Sequence, residues 1–137
     1  MQDRPTAVEL LDAIAEYLEE EVLPAAADPV RYHTRVALNL VGMLAREWTL
    51  GPAADAAERA RLTELLGPAP DATADLAELN RRLAERLTAD ADPAFQRRAW
   101  AALHAGALDK LAVARPGYER YDSATESPAR WSTHART

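Results

Sequence analysis

The sequence of 137 residues contains no cysteine and little glycine, and both shortages exclude classes of protein. Without cysteine there is no disulfide framework, thiolate zinc site, iron–sulfur cluster or cysteine nucleophile. The five glycines leave little material for phosphate-binding loops, and neither a Gly-x-x-x-x-Gly-Lys nor a Gly-x-Gly-x-x-Gly motif occurs. Valine and isoleucine together number only seven, so a β-sheet protein is not expected.

Long apolar runs are missing as well. No run approaches the roughly 18 residues that a membrane span needs, and the start of the chain lacks the basic and apolar regions of a secretory signal. The formal net charge of −6 argues against nucleic acid as a general partner. We therefore expect a cytoplasmic protein that contacts neither nucleic acid nor membrane.

Alanine is the dominant apolar residue, with 31 of the 66 apolar positions. Alanine and leucine, of which there are 18, both favour helices. Because burying alanine removes little apolar surface from water, the core is expected to be thin and closely packed. The length is enough for one domain and too small for two well-packed ones.

Capping signals and apolar spacing predict five helices. Thr6 and Glu9 match a capping box, and Asp28-Pro29 and Asp92-Pro93 match helix starts. The predicted ranges, interrupted by Pro24, Gly51-Pro52 and Gly67-Pro68, are residues 6–23, 28–50, 53–66, 75–88 and 92–114.

These helices predict an all-α fold: an antiparallel helical bundle of about four long helices plus one short helix. The bundle forms a single domain over residues 1–115, and an irregular tail follows over residues 116–137, where apolar periodicity is absent. Predicted helix two is expected to be central. In predicted helix five, the residues expected to face inward are Trp100, Leu103, Leu108 and Leu111.

Predicted helix two carries the strongest candidate for a ligand site. At 100° per residue, one narrow polar sector contains Arg31, Arg35, Asn39, Gly42 and Arg46. Guanidinium groups bind carboxylates and phosphates through paired hydrogen bonds, which favours an anionic ligand such as a phosphorylated metabolite or the phosphate-bearing arm of coenzyme A. The alternative is pairing with the glutamates of predicted helix one.

Two histidines and the single lysine complete the candidates. His33 lies on the apolar side of predicted helix two, as a hydrogen-bonded core residue or, alternatively, as a ligand-binding or acid–base group at a cavity, together with His104 on the apolar side of predicted helix five. A third metal ligand is not evident, so no metal or cofactor is predicted. Lys110 is either a phosphate-binding group or a surface residue. No catalytic residue is assigned.

Several segments together resemble a bacterial domain-of-unknown-function family, number 6285. The resemblance spans residues 4–118 and is carried by Arg4-Pro5-Thr6-Ala7-x-Glu9-Leu10-Leu11, Val22-Leu23-Pro24, His33-x-Arg35-Val36-Ala37-x-Asn39, Leu50-Gly51-Pro52, Ala57-Glu58-Arg59-Ala60-Arg61-Leu62, Leu79-Asn80-Arg81 and Lys110-Leu111-Ala112-Val113-x-x-Pro116-x-Tyr118. It implies a small protein encoded beside aminoglycoside-phosphotransferase-like kinases and acyl-CoA dehydrogenases. It supplies no catalytic residues.

Three functions remain open. An accessory or interaction protein, partnering a phosphotransferase-like kinase in acyl-CoA or fatty-acid metabolism or forming a homo-oligomer, predicts an exposed apolar patch. A binder of acyl-CoA or a phosphorylated compound predicts an apolar cavity with an arginine of helix two at its mouth. A small enzyme using His33 or His104 predicts an imidazole open to a pocket. The missing motifs favour the first function and a protein that is not an enzyme.

Overall fold

The computed structural model describes residues 4–67, 74–89 and 92–117, and these ranges are almost entirely helical. The helices are α1 (Ala7–Tyr17), a π-helical turn (Leu18–Val22), the short α2 (Leu23–Ala25), α3 (Val30–Leu66), α4 (Leu76–Thr88) and α5 (Pro93–Ala114). The all-α helical prediction is confirmed. Most of the predicted tail, residues 118–137, lies outside the described residues.

The caps at the starts of α1 and α5 follow the sequence prediction. Thr6 Oγ1 accepts from the Glu9 amide at 3.2 Å while Glu9 Oε2 accepts from the Thr6 amide at 2.6 Å, which completes the capping box. Asp92 accepts from the amides of Phe95 and Ala94, and these hydrogen bonds lower the pKa of its carboxyl. The predicted Asp28 cap is wrong, because α3 begins at Val30 without a side-chain cap.

The predicted stop at Gly51-Pro52 is also wrong, since α3 continues through both residues as one helix of 37 residues. Proline inside a helix removes one backbone hydrogen bond and crowds the preceding turn, at a cost of about 3 kcal/mol. Packing on both sides of Pro52 offsets that cost: α1 contacts α3, and α4 and α5 pack against it further along the chain. Predicted helices two and three are therefore a single element.

The core lies entirely against the C-terminal half of α3. Its buried members come from three helices: Leu62 and Leu65 of α3, Leu79 and Leu83 of α4, and Phe95 and Ala99 of α5. The guanidinium of Arg86 lies 4.2 Å from the centroid of the Phe95 ring and covers it.

The opposite half of the molecule is a two-helix hairpin, formed by residues 7–25 and residues 30–50 of α3. Neither α1 nor the segments that follow it contain a buried residue. Within residues 30–50 the single buried side chain is Thr34, whose hydroxyl donates to the Val30 carbonyl at 2.9 Å. The hairpin, as described, has no apolar core of its own.

The inward face of α5 differs from the predicted one. Phe95, Ala99, Gly106 and Val113 are buried, whereas Trp100 is 72% exposed and Leu103 and Leu108 are also exposed. The inward stripe has Phe95 and Val113 towards its ends and the small Ala99 and Gly106 between them, so large apolar residues alone do not mark it. A Cβ added to Gly106 would lie 4.0 Å from the Arg61 guanidinium, which is an ordinary contact distance.

We predict that Leu83→Ala lowers the free energy of unfolding by about 2–5 kcal/mol, because Leu83 is 2% exposed and its removal leaves a cavity in the core. Leu108→Ala, at a 38% exposed position of α5, is the matched control and is expected to change much less. Urea titration of both variants measures the difference. Equal losses would contradict the assignment of the core.

We also predict that Pro52→Ala raises the free energy of unfolding by about 1–3 kcal/mol, because alanine restores the missing backbone donor within a continuous helix. The measurement is thermal and urea unfolding, with the helical circular-dichroism signal of the folded protein as the control. A loss of stability would indicate that Pro52 ends a helix instead of interrupting one.

Candidate functional site

The main surface feature is an apolar face on one side of the hairpin. Its members recur at helical spacing on both helices, and their exposed fractions range from 41% to 65%. We call it the hairpin face, and it consists of Leu10, Ile14, Tyr17, Val36, Leu40, Leu44 and Trp48.

A groove between the two helices brings members of both sets of residues together. Its volume is about 1000 Å³, and it is lined by residues of α1, including Leu10, together with Leu44 and Trp48 of α3. The groove therefore joins the α1 part of the hairpin face to the α3 part. Contiguous apolar surface of this kind is found at protein–protein interfaces, at membrane-binding surfaces and in ligand-binding grooves.

Two titratable residues lie within the apolar sector of α3. At 100° per residue, His33 and Glu47 fall between the directions of Val36 and Leu44. The His33 ring meets the Tyr32 ring edge-on, with centroids 5.4 Å apart. Glu47 lies over Gly51, where an added Cβ would be 3.3 Å from its carboxylate oxygen.

The predicted arginine strip is present, but its residues are engaged in different ways. Arg31 Nε donates to the Ala26 carbonyl at 3.0 Å, within the turn that precedes α3. Arg46 Nε donates to the Val113 carbonyl at 2.7 Å, one of the last carbonyls of α5, which has no partner within the helix. A Cβ at Gly42 would lie 3.3 Å from Arg46 Nη1, so glycine gives this guanidinium room.

The rest of the strip is exposed. Arg35 and Asn39 lie at the surface of α3. Among the ion pairs of the described residues, none joins the arginines of the strip to the glutamates of the first helix. The strip presents two exposed polar side chains between two arginines that donate to backbone carbonyls.

His33 is exposed, so the expectation that it packs in the core is wrong, and His104 is exposed as well. The apolar side of α3 that carries His33 belongs to the uncovered hairpin. His104 lies on α5 near Trp100, Leu103 and Leu108, whose side chains are exposed too. Neither imidazole lines any of the grooves described here.

A polar junction connects the three helices that form the core. Asn80 Nδ2 of α4 donates to Glu58 Oε1 of α3 at 2.8 Å, and Lys110 Nζ of α5 lies 3.8 Å from Glu58 Oε2. Beside them, Arg61 Nη2 donates to Asp109 Oδ2 at 2.6 Å. Glu58, Asn80 and Lys110 also line a groove of about 150 Å³ with Arg61. Opposite charges paired in this way are typical of a structural contact, although Arg61 Nε is buried without a hydrogen-bond partner among the described residues.

Sequence reasoning found Lys110 and missed its partners. Glu58, Asn80 and Lys110 lie on three different helices and are distant in sequence. The fold brings their side chains together. The available signal was that all three belong to segments that carry the family resemblance. Their contacts give that lysine a surface ion pair, since its side chain is 75% exposed.

Among the described residues, no helix is long and apolar enough to cross a membrane. The same residues contain no group of three or more histidine, aspartate or glutamate side chains placed to hold a metal ion. Fold and surface together define a small all-α protein with a bare two-helix face.

The comparison with known families agrees with the resemblance. The model of a family described as "Domain of unknown function (DUF6285)" matches residues 24–118. The chain belongs to this family. The match begins at Pro24 and therefore excludes α1. No curated protein and no solved structure matches the chain.

We predict that Glu58→Ala lowers the free energy of unfolding by about 1–3 kcal/mol, because Asn80 loses an acceptor at a half-buried site. Lys110→Ala is expected to cost less than about 0.5 kcal/mol, as is usual for an exposed ion pair. Urea unfolding of both variants measures these values. A large loss with Lys110→Ala and none with Glu58→Ala would contradict the structural role of the junction.

Proposed function

We propose that this chain is a non-catalytic accessory protein that acts through protein–protein contact, with the hairpin face as its assembly surface. The observation that carries the proposal is the exposure of seven large apolar residues on a hairpin that has no core of its own. Contact between such a face and water is unfavourable, and a second protein that covers the face removes its apolar surface from water.

The family resemblance suggests the process and a further partner for a separate contact. It implies genes for phosphotransferase-like kinases and acyl-CoA dehydrogenases as neighbours, which supports a role beside such a kinase in acyl-CoA or fatty-acid metabolism. The exposed Arg35 and Asn39 of the arginine strip offer a polar surface on α3 for a second contact.

The ligand-binding alternative has less support. The groove beside Leu44 and Trp48 is apolar and large enough for an acyl chain, but no arginine of the strip lines it. Phosphate recognition by those guanidiniums and burial of an acyl chain in that groove would take place at separate surfaces. The enzyme alternative needs an imidazole with a partner group in a pocket, and both histidines are exposed outside the described grooves.

The test is light scattering on a sizing column with this chain and a phosphotransferase-like protein of the kind that the resemblance implies as its genomic neighbour. We expect a mixed complex with a mass above that of either component. Leu44→Asp is expected to lower the mass of the assembly, because it places a charge in the hairpin face. Leu108→Asp, at an exposed leucine outside the hairpin face, is the matched control and should leave the mass unchanged.

Two results would contradict the proposal. The first is a chain that neither associates with itself nor forms the mixed complex at any concentration. The second is a mixed complex that Leu44→Asp and Leu108→Asp leave equally intact, because the hairpin face would then play no part in assembly.

A further inference from the structure

The hairpin face invites the question of which molecule covers it. We propose that a second copy of this chain does so, with the two α3 helices packed antiparallel about a two-fold axis at Leu40. The inference rests on the proposed function, since it names the partner of the surface assigned there.

The hairpin needs a permanent partner to cover its apolar residues. The hairpin has one buried side chain, Thr34, and that residue is polar. Helices in water are stabilised mainly by packing of an apolar face, so a helical hairpin without an apolar core needs its cover whenever the chain is folded, not only during a transient encounter. The partner that is always present in equal amount is another copy of the same chain, and symmetric dimers are the commonest soluble oligomers.

The exposed area of the hairpin face matches the area that one partner contributes to a standard protein–protein interface. The exposed fractions of the hairpin face, which reach 61% for Tyr17 and 65% for Trp48, amount to roughly 800 Å² of accessible surface, close to the ~800 Å² that each partner contributes to a standard interface. One partner of ordinary size is therefore enough to cover the face. Aromatic anchors such as these two residues are typical of interface centres.

The residues of the apolar sector of α3 have a palindromic spacing. The residues of its apolar sector are separated by three, four, four and three positions, which makes the pattern symmetric about its centre. In order, they are His33, Val36, Leu40, Leu44 and Glu47. A two-fold axis at the centre packs Leu40 against the partner's Leu40 and Val36 against the partner's Leu44.

The ends of the same pattern are chemically complementary. The axis brings His33 opposite the partner's Glu47, so that an imidazole N–H can donate to the carboxylate. This pair gives a partner to the carboxylate that would otherwise be desolvated within an apolar contact. A parallel arrangement would instead place Glu47 against the partner's Glu47, and two carboxylates repel each other.

The register is tested with single cysteines, because the chain has none. Leu40→Cys is expected to form an intermolecular disulfide upon mild oxidation, since it faces itself across the axis. Val36→Cys and Leu44→Cys are expected to cross-link when mixed, and each far less when alone. Leu108→Cys, an exposed leucine on α5, is the control that should not cross-link. Asn39→Cys, exposed beside the axis residue but on the polar side of α3, is a second control.

The affinity is tested by sedimentation equilibrium and light scattering on the chain alone. We expect a dimer that Leu40→Asp converts to a monomer and that Leu108→Asp leaves intact. Glu47→Lys is expected to raise the dimer dissociation constant about tenfold or more, since a lysine then faces His33 of the partner subunit. Adding His33→Glu to Glu47→Lys is expected to restore much of the affinity, which a variant that merely misfolds would not allow.

Each outcome has a distinct meaning. A wild-type chain that is monomeric at all concentrations overturns the second copy. The proposed function survives that result if a mixed complex still depends on Leu44, and falls with it if no such complex forms. A dimer without the Leu40→Cys cross-link, or without rescue by the charge exchange, overturns the antiparallel register.

Discussion

The unequal distribution of burial along α3 determines the rest of this structure. Its C-terminal half packs into a small core with α4 and α5, where Leu62 and Phe95 are almost completely buried. Its N-terminal half packs mainly against residues 7–25, and none of the large apolar residues of that pair is buried. Since hydrophobic burial is the main favourable term in folding, the core supplies most of the stability and the hairpin projects from it.

The continuity of α3 connects these two halves physically. An interruption at Pro52 would let the hairpin turn back onto the core and cover its own apolar face. One helix of 37 residues, roughly 55 Å long at 1.5 Å per residue, prevents this, because residues 30–50 extend in the direction that the core fixes. The exposed face therefore follows from the geometry of a single helix, and the proposal of an assembly surface depends on that geometry.

The sequence predicted the local features of this fold well and its tertiary features poorly. The capping residues Thr6 and Asp92 mark helix starts because their side chains bond to amides within the next three residues. Pro52 is misleading because its local cost is outweighed by packing far from it in the chain. The face of α5 was misassigned because the prediction followed large residues such as Trp100, whereas the buried stripe includes the small Ala99 and Gly106. Likewise, nothing local predicts that Glu58 meets Asn80 and Lys110.

The hydrogen bond from Arg46 to the Val113 carbonyl has a mechanical consequence. It attaches the hairpin side of α3 to the end of α5, across 67 positions of sequence, with a charged donor at 2.7 Å. This hydrogen bond couples local unfolding of the hairpin to local unfolding at the end of α5, because both events must break the same contact. The hairpin is thus tethered to the core at two points, through the backbone of α3 and through this guanidinium, and forces applied to it are transmitted to the last turn of α5.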